Sequence, residues 1–408
     1  MSTNKHVAPR TLREGSPQKA GMSSARLKNA AEIARHVVET KLSQTVEVLV
    51  ARRGVIVLHK VFGKLTPERN SARTPPLALF PIASITKLLT ATALMILVEE
   101  GRVGLNRPVS SYIPEFSGEG KETVLVRHLL THTSGLNEEQ VEKYARGQED
   151  KIAAPPADET IHPLLHRYYT IRYGAPLWKP PGTEMSYCNY NFELAGEIVR
   201  RVSKTGLDSF AKSRIFRPIG MVDTYYCRMD APVKRRVRRP PDPPNTKLPP
   251  TALDRALEAA EETERILYAS GSALSTVLDL ARFGQMFLNG GDYGDTRVLS
   301  PVTVTEMTRN QIPGIKSVFI DEFFPEASWG LGWSVHGPKT GQCGGLYSAN
   351  SFEHWGSGGT YIWVDPDLEM IGVYFSSVPS TPNFLEDFKK YWLNDLFTDA
   401  VASAVEKP

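Results

Sequence analysis

Strand-like segments lie near the two ends of this chain and helical patterns fill its middle, which leaves few ways to close a sheet. VEVLVA (46–51) and VIVLHKVFG (55–63) are rich in β-branched residues and are separated by Arg52-Arg53-Gly54, a pattern that predicts an antiparallel hairpin. Far along the chain, WGLGWSV (329–335), TYIWVDP (360–366) and MIGVYFSS (370–377) read as further strands with tight turns. Short sequential strands favour an antiparallel sheet, here one built from both termini. The expected class is therefore α/β (α+β): a sheet domain from residues 15–86 and 267–408, an inserted mainly helical lobe at 87–266, and an N-terminal tail at 1–14. A cleft between the lobes is the expected place for a site.

Helices flank these strands. Residues 24–39 carry Leu27, Ala30, Ala31, Ile33, Ala34, Val37 and Val38 at helical spacing. From Ser84 to Glu100 the pattern is apolar nearly all round, the mark of a buried helix, and Gly101 stops it. Shorter helical patterns follow at 128–132 and 191–203. An amphipathic helix is expected at 274–290, with Ser275 and Asp279 opening its polar face, and a terminal helix at 385–397. Residues 232–250 are basic and proline-dense, without period or apolar content, and predict a solvated surface segment.

Composition excludes several classes. The chain has 408 residues, 41% of them hydrophobic, enough for a large core. A net charge of +3 provides no global field to gather nucleic acid or an anionic membrane. Cys188, Cys227 and Cys343 lack CxxC spacing, and an odd count in so long a chain is no disulfide framework. The first twenty residues are polar and basic with no apolar signal core, so a cytoplasmic location is expected, or a periplasmic or secreted one if a leader has been removed. The longest apolar stretch, 88–98, is far short of the roughly 20 residues that span a bilayer. The nine histidines form no HExxH pair, and no metal or cofactor is expected.

Three motifs carry chemistry. Ser84-Ile85-Thr86-Lys87 sets a hydroxyl and an amine three residues apart on a helix, close enough to touch. Lysine serves as a base once burial lowers its pKa, and an apolar helix supplies that desolvation. The helix start also offers free N–H groups and a dipole that favour an oxyanion. A second match, Ser16-Pro17-Gln18-Lys19, lies in a polar, proline-broken setting and reads as an accident. Tyr187-Cys188-Asn189 follows the Pro180-Pro181-Gly182 turn. A tyrosine beside a cation such as Lys87 would give up its proton below its usual pKa of roughly 10. The Asn189 amide could bridge Lys87 and a substrate carbonyl, although a core tyrosine beside an Asn turn has the same pattern. His354-Trp355-Gly356-Ser357-Gly358-Gly359-Thr360 precedes a strand, and its glycines allow close approach of a substrate. The N–H of Ser357 could join that of Ser84 in an oxyanion hole; a glycine-rich hairpin turn would look alike.

Together and in this order the motifs resemble those of the serine β-lactamase and penicillin-binding-protein superfamily, with its S-x-x-K, S-D-N and K-T-G set. The tyrosine form of the second motif is similar to the class C branch: class C β-lactamases, D-alanyl-D-alanine carboxypeptidases, family VIII carboxylesterases and acyltransferases. VRHLLTHTSGL (126–136), PPGTEMSYCNYNFELAGEIV (180–199) and LSTVLDLARFGQMFLNGG (274–291) resemble the same branch, so the likeness covers roughly residues 15 to 395. It implies Ser84 as nucleophile, Lys87 as its proton partner, and Tyr187 as the base that relays the serine proton to the leaving group. It implies Asn189 as a substrate-positioning residue and His354, Trp355, Gly356 and Ser357 as the strand facing the cleft. His132 and Ser134 fall in a segment that is structural in this family.

Two departures narrow the substrate. His354 replaces the lysine of K-T-G, and Trp355 replaces the threonine whose hydroxyl would hold the carboxylate of a β-lactam or a D-alanine terminus. An indole has one N–H and no hydroxyl. Losing one donor to a charged group costs roughly 1.5–3 kcal/mol. The expectation is thus a cofactor-free serine carboxylesterase acting on small uncharged esters through an acyl-enzyme, with a small-molecule ester or amide as substrate and neither nucleic acid nor a membrane span. A D-aminoacyl peptidase or weak β-lactamase, in which His354 as a cation binds a carboxylate, an acyltransferase on the same acyl-enzyme, and a silent binding protein on this fold are the competing readings.

Overall fold

The computed structural model describes residues 11–240, 250–319, 322–337, 344–378 and 394–406. Its principal sheet has seven strands, in spatial order Arg13–Glu14, Val55–Gly63, Thr45–Arg52, Met370–Ser376, Thr360–Asp365, Phe352–Gly356 and Ser334–Val335. All neighbours run antiparallel except Arg13–Glu14, which lies parallel to Val55-Ile56 at the edge. Residues 13 and 14, expected in the tail, thus form part of the sheet. The N-terminal hairpin turns at Arg53 and Gly54, both with positive φ (53° and 74°), the backbone that matches the twist of paired strands. Its second neighbour is the late strand Met370–Ser376, so the sheet closes only when both ends of the chain meet.

Alternation along the strands gives the sheet two buried faces. Val46, Val48 and Val50 pack against Leu27, Ala30, Ala34 and Val37 of the helix Ser24–Glu39 and against Phe397 and Val401 of the helix Asn394–Ala402. Leu49, Ala51, Ile371 and Val373 face the other way, onto Leu280 and Phe283 of the helix Val277–Leu288. The same core continues into the helix Thr86–Glu99, in which every residue from Thr86 to Leu97 is buried. That helix has protein on all sides, including the helix Asn189–Ser203, which is why its sequence shows no polar face.

Other sequence expectations need correction or restriction. Ser275 and Asp279 do not open a solvent face: Thr276 caps the helix, and both residues are buried. The Asp279 carboxylate accepts the Asp223 N–H (2.7 Å) and the Thr224 hydroxyl (3.0 Å) because it ties two segments together, and burial pushes its pKa up to about 6. The basic segment is not a free loop over 232–240. Val237 is buried, its N–H donates to Leu79 O (2.8 Å), Arg235 pairs with Asp223 (2.7 Å), and Arg236 pairs with Glu262 (2.7 Å). Acidic partners within the chain have neutralised charges that look unpaired in the sequence. Residues 241–249, Cys343 and the first part of the expected terminal helix, 385–393, lie outside the described residues.

Candidate active site

Ser84 is presented by a turn held from both sides. Phe80–Pro81 pairs with Leu274–Ser275, the Ile82 N–H donates to Ala273 O (2.9 Å), and the Thr360 hydroxyl donates to Ile82 O (3.1 Å). Ala83 follows with φ 45°, a left-handed backbone that costs a non-glycine residue about 1 kcal/mol or more. The clamps on Ile82 hold that strain in place. The 3-10 turn Ala83–Ile85 then leads into the helix Thr86–Glu99, so Ser84 stands half-exposed at the head of the buried helix.

One turn on, Lys87 is fully buried. Its Nζ lies 2.9 Å from Ser84 Oγ, 2.8 Å from Asn189 Oδ1 and 3.0 Å from Ser270 O. Burial lowers its pKa to about 8, against the opposing pull of the Glu138 and Glu193 carboxylates. The amide and backbone oxygens can only accept hydrogen bonds. A neutral amine has two N–H donors, which these oxygens claim, so its lone pair is left for the Ser84 hydroxyl.

Tyr187 approaches from the segment that precedes the helix Asn189–Ser203. Lys87 Nζ is 4.9 Å from the centroid of its ring. Burial pushes the phenol above its ordinary pKa range, and a side-chain hydrogen bond with Ser84 only partly offsets this. The sequence expectation of a lowered phenol pKa is therefore reversed: desolvation of the buried ring outweighs the hydrogen bond with Ser84. His132 stacks on the same ring (centroids 4.3 Å apart) and accepts the Cys188 N–H at Nδ1 (3.2 Å). Burial holds its imidazole well below the usual range, so His132 is a neutral support for Tyr187.

Asn189 opens the helix Asn189–Ser203, and its amide is oriented by Glu138. The Glu138 carboxylate accepts Asn189 N–H (2.7 Å) and Asn189 Nδ2 (2.9 Å), which turns Oδ1 toward Lys87. Glu193, buried on the next turn of that helix, accepts Ala269 N–H (2.9 Å) and Ser270 N–H (3.1 Å), and so aims Ser270 O at the same amine. The sequence reading missed Glu138, Glu193 and Ser270. A backbone carbonyl has no side-chain signature; Glu138 alone could have been noticed, as an acid in the first turn after Asn137.

The third motif forms the strand Phe352–Gly356 and the turn after it. A Cβ on Gly356 would fall 2.2 Å from Ile82 O, so only glycine lets this strand lie against the turn that presents Ser84. Ser357 is next in the chain, half-exposed, with Arg239 Nη1 3.4 Å from its hydroxyl. Trp355 is half-buried and nearly parallel to Tyr187 at 6.5 Å, with Trp329 edge-on to both. His354 is fully buried rather than open to the cleft; its Nδ1 donates to Trp355 O (2.8 Å) and its ring meets Trp329 at 5.7 Å. Beyond this aromatic wall, a groove lined by Trp178, Met185, Ser186, Val318 and Phe323 borders the segment that carries Tyr187. The other Ser-x-x-Lys match, Ser16 to Lys19, is a solvent-exposed 3-10 turn.

The sheet flanked by helices, with serine and lysine at the head of a buried helix, defines a serine hydrolase of the β-lactamase and penicillin-binding-protein superfamily. The chain belongs to the Beta-lactamase family, which it matches over residues 30–394. A protein of Escherichia coli (strain K12) that carries a provisional D-alanyl-D-alanine carboxypeptidase name is 26% identical, over 91% of this chain and 86% of its own length. A penicillin-binding-protein homologue from Caulobacter crescentus superposes with a TM-score of 0.70 at 21% identity, covering 94% of this chain and 99% of its own. A family VIII carboxylesterase superposes at 0.67 with 20% identity, covering 91% and 98%. Among the described residues no helix is long and apolar enough to cross a membrane.

Proposed function

We propose that this protein is a carboxylesterase for small uncharged esters, with Ser84 as the nucleophile of an acyl-enzyme. The observation that carries the reading is the Lys87 amine, whose N–H groups are claimed by Asn189 Oδ1 and Ser270 O while its third contact is Ser84 Oγ. Lys87 takes the serine proton as Oγ bonds to the ester carbon. Tyr187, its phenol still protonated, gives a proton to the departing alkoxide as the C–O bond breaks. The Lys87 proton returns through Tyr187, so the serine proton ends on the alcohol. Water then repeats the steps in reverse order to release the acid. The N–H groups of Ser84 and Ser357 hold the tetrahedral oxyanion, and one such donor is typically worth about 10²–10³ in rate. The sheet domain (15–86 and 267–408) and the inserted lobe (87–266) each contribute one side of the cleft in this reading.

Substrate preference rests on Trp355. With Tyr187 and Trp329 it makes an aromatic wall where a carboxylate-binding hydroxyl would stand, which suits an apolar alcohol or acyl group. An acyltransferase differs only in the acceptor that replaces water. A D-aminoacyl carboxypeptidase is the second reading. The Arg239 guanidinium beside Ser357 favours it, since a planar fork of donors suits a carboxylate, as does the name of the E. coli relative. The test is labelling with a fluorophosphonate probe and hydrolysis of a p-nitrophenyl short-chain ester. Ser84→Ala is expected to lose both; hydrolysis that survives in the variant would assign the nucleophile elsewhere.

A further inference from the structure

We propose that Glu138 is the positioning residue that aims the Lys87 lone pair at Ser84, acting through the Asn189 amide. The inference rests on Ser84 and Lys87 acting as proposed above. Asn189 has one acceptor and two donors on its side chain, and which end faces Lys87 decides what the amine can do. A carboxylate only accepts. Glu138 Oε1 takes Asn189 Nδ2 at 2.9 Å and Oε2 takes the Asn189 backbone N–H at 2.7 Å, so the amide cannot turn over without breaking a charge-assisted bond. Oδ1 therefore faces Lys87 at 2.8 Å and claims one amine proton. With the amide reversed, an N–H would meet the amine and compete with Ser84 for the lone pair.

Glu138 is itself held in place. It is the first residue of the helix Glu138–Gln148, capped by Asn137, where a negative charge is favoured by the free N–H groups and the dipole. Cys188 also turns its side chain onto the carboxylate. The titratable groups around Lys87 are the carboxylates of Glu138 and Glu193, the Cys188 thiol, the His132 imidazole and the Tyr187 phenol. Burial keeps the thiol, imidazole and phenol uncharged near neutral pH, so the two carboxylates supply the field that stabilises a protonated Lys87.

Two separate effects follow for Glu138→Gln. Loss of orientation lowers the plateau rate of fluorophosphonate labelling at Ser84 by about tenfold, the scale of one misaligned proton transfer. Loss of the charge makes Lys87 easier to deprotonate, so the acidic limb of the labelling rate moves to lower pH by about half a unit to one unit. Glu138→Asp, which keeps an acceptor-only group, restores the limb. In an Asn189→Ala background the further plateau loss from Glu138→Gln shrinks to less than about twofold, because the orientation effect passes through that amide. A wild-type plateau and limb in Glu138→Gln, an equal loss at every pH with the limb unmoved, or a full tenfold loss without Asn189 overturns the proposal. Should Glu138→Gln not fold, Asn189→Asp asks the same question. It sets a second carboxylate against Lys87 and must move the limb upward by about one unit; an unmoved limb overturns the proposal. Wild-type protein that takes no label at Ser84 sinks the serine reading itself, before Glu138 is in question.

Discussion

Lys87 Nζ lies 4.9 Å from the centre of the Tyr187 ring, so the amine meets the aromatic group across its π system. Once Lys87 has accepted a proton, the ring stabilises the resulting ammonium by about 0.5–2 kcal/mol. The phenol hydroxyl keeps its hydrogen bond with Ser84. In the proposed mechanism one side chain thus serves both as a support for the base and as a donor for the leaving group.

The pH dependence of acylation should follow Lys87. With its pKa lowered to about 8, the amine is protonated and useless as a base below that value. The kcat/KM for a neutral ester is expected to rise about tenfold per unit up to pH 8 and then level. A stopped-flow or spectrophotometric profile checks this, and a limb centred near the carboxylate range would point to a different base.

The same shift affects stability. The unfolded chain holds the Lys87 proton up to about 10.5, the folded protein only to about 8. Between those values the unfolded state binds more protons, so stability rises with pH. Relative to Lys87→Met, the wild type should gain about 3 kcal/mol between pH 8 and 10.5, and nothing below pH 8. Parallel urea titrations of both proteins would reveal this; a pH-independent gap would mean that Lys87 is not desolvated.

Gly356→Ala should cripple acylation. The added methyl would meet Ile82 O at 2.2 Å, and neither the strand nor the clamped turn can yield cheaply. Overpacking of this kind costs about 1–3 kcal/mol in stability, and displacing the Ser357 N–H should cost about 10²-fold in kcat. Chemical denaturation together with steady-state kinetics separates the two losses.

Trp355→Thr restores a hydroxyl where the family has one and removes part of the aromatic wall against Tyr187. β-Lactam acylation is expected to rise relative to ester turnover by about tenfold or more, the worth of one donor to a charged group. Intact-mass detection of the penicilloyl adduct beside an ester assay measures the ratio. An unchanged ratio removes Trp355 from the substrate argument.

Much of this architecture was legible in the sequence, for local reasons. The helix over 24–39 has bounds that the periodicity alone supplies, and the hairpin at 45–63 has β-branched strands with Gly54 between them. The contact between Ser84 and Lys87 was legible because their spacing is local. What escaped depends on contacts distant in sequence. Asp279 looks like a surface acid until Asp223 and Thr224 are brought against it. Ser270 contributes a backbone oxygen, which any residue type could supply. Tyr187 was misjudged because sequence reveals a neighbouring charge more readily than a lost hydration shell. His354 was expected on the cleft; the ring is enclosed instead by Trp329, Trp355 and Tyr187.

The sheet order has a consequence for synthesis on the ribosome. The strand Thr45–Arg52 emerges early, yet its partner Met370–Ser376 is made more than three hundred residues later, and the strand that backs the Ile82 turn ends only at Gly356. Such long-range pairing is slow to form and leaves the early hairpin edge waiting. A nascent chain can therefore finish the helix headed by Ser84 long before the strand that backs its turn exists, and a truncated product lacking the last strands would carry the proposed nucleophile without the means to use it.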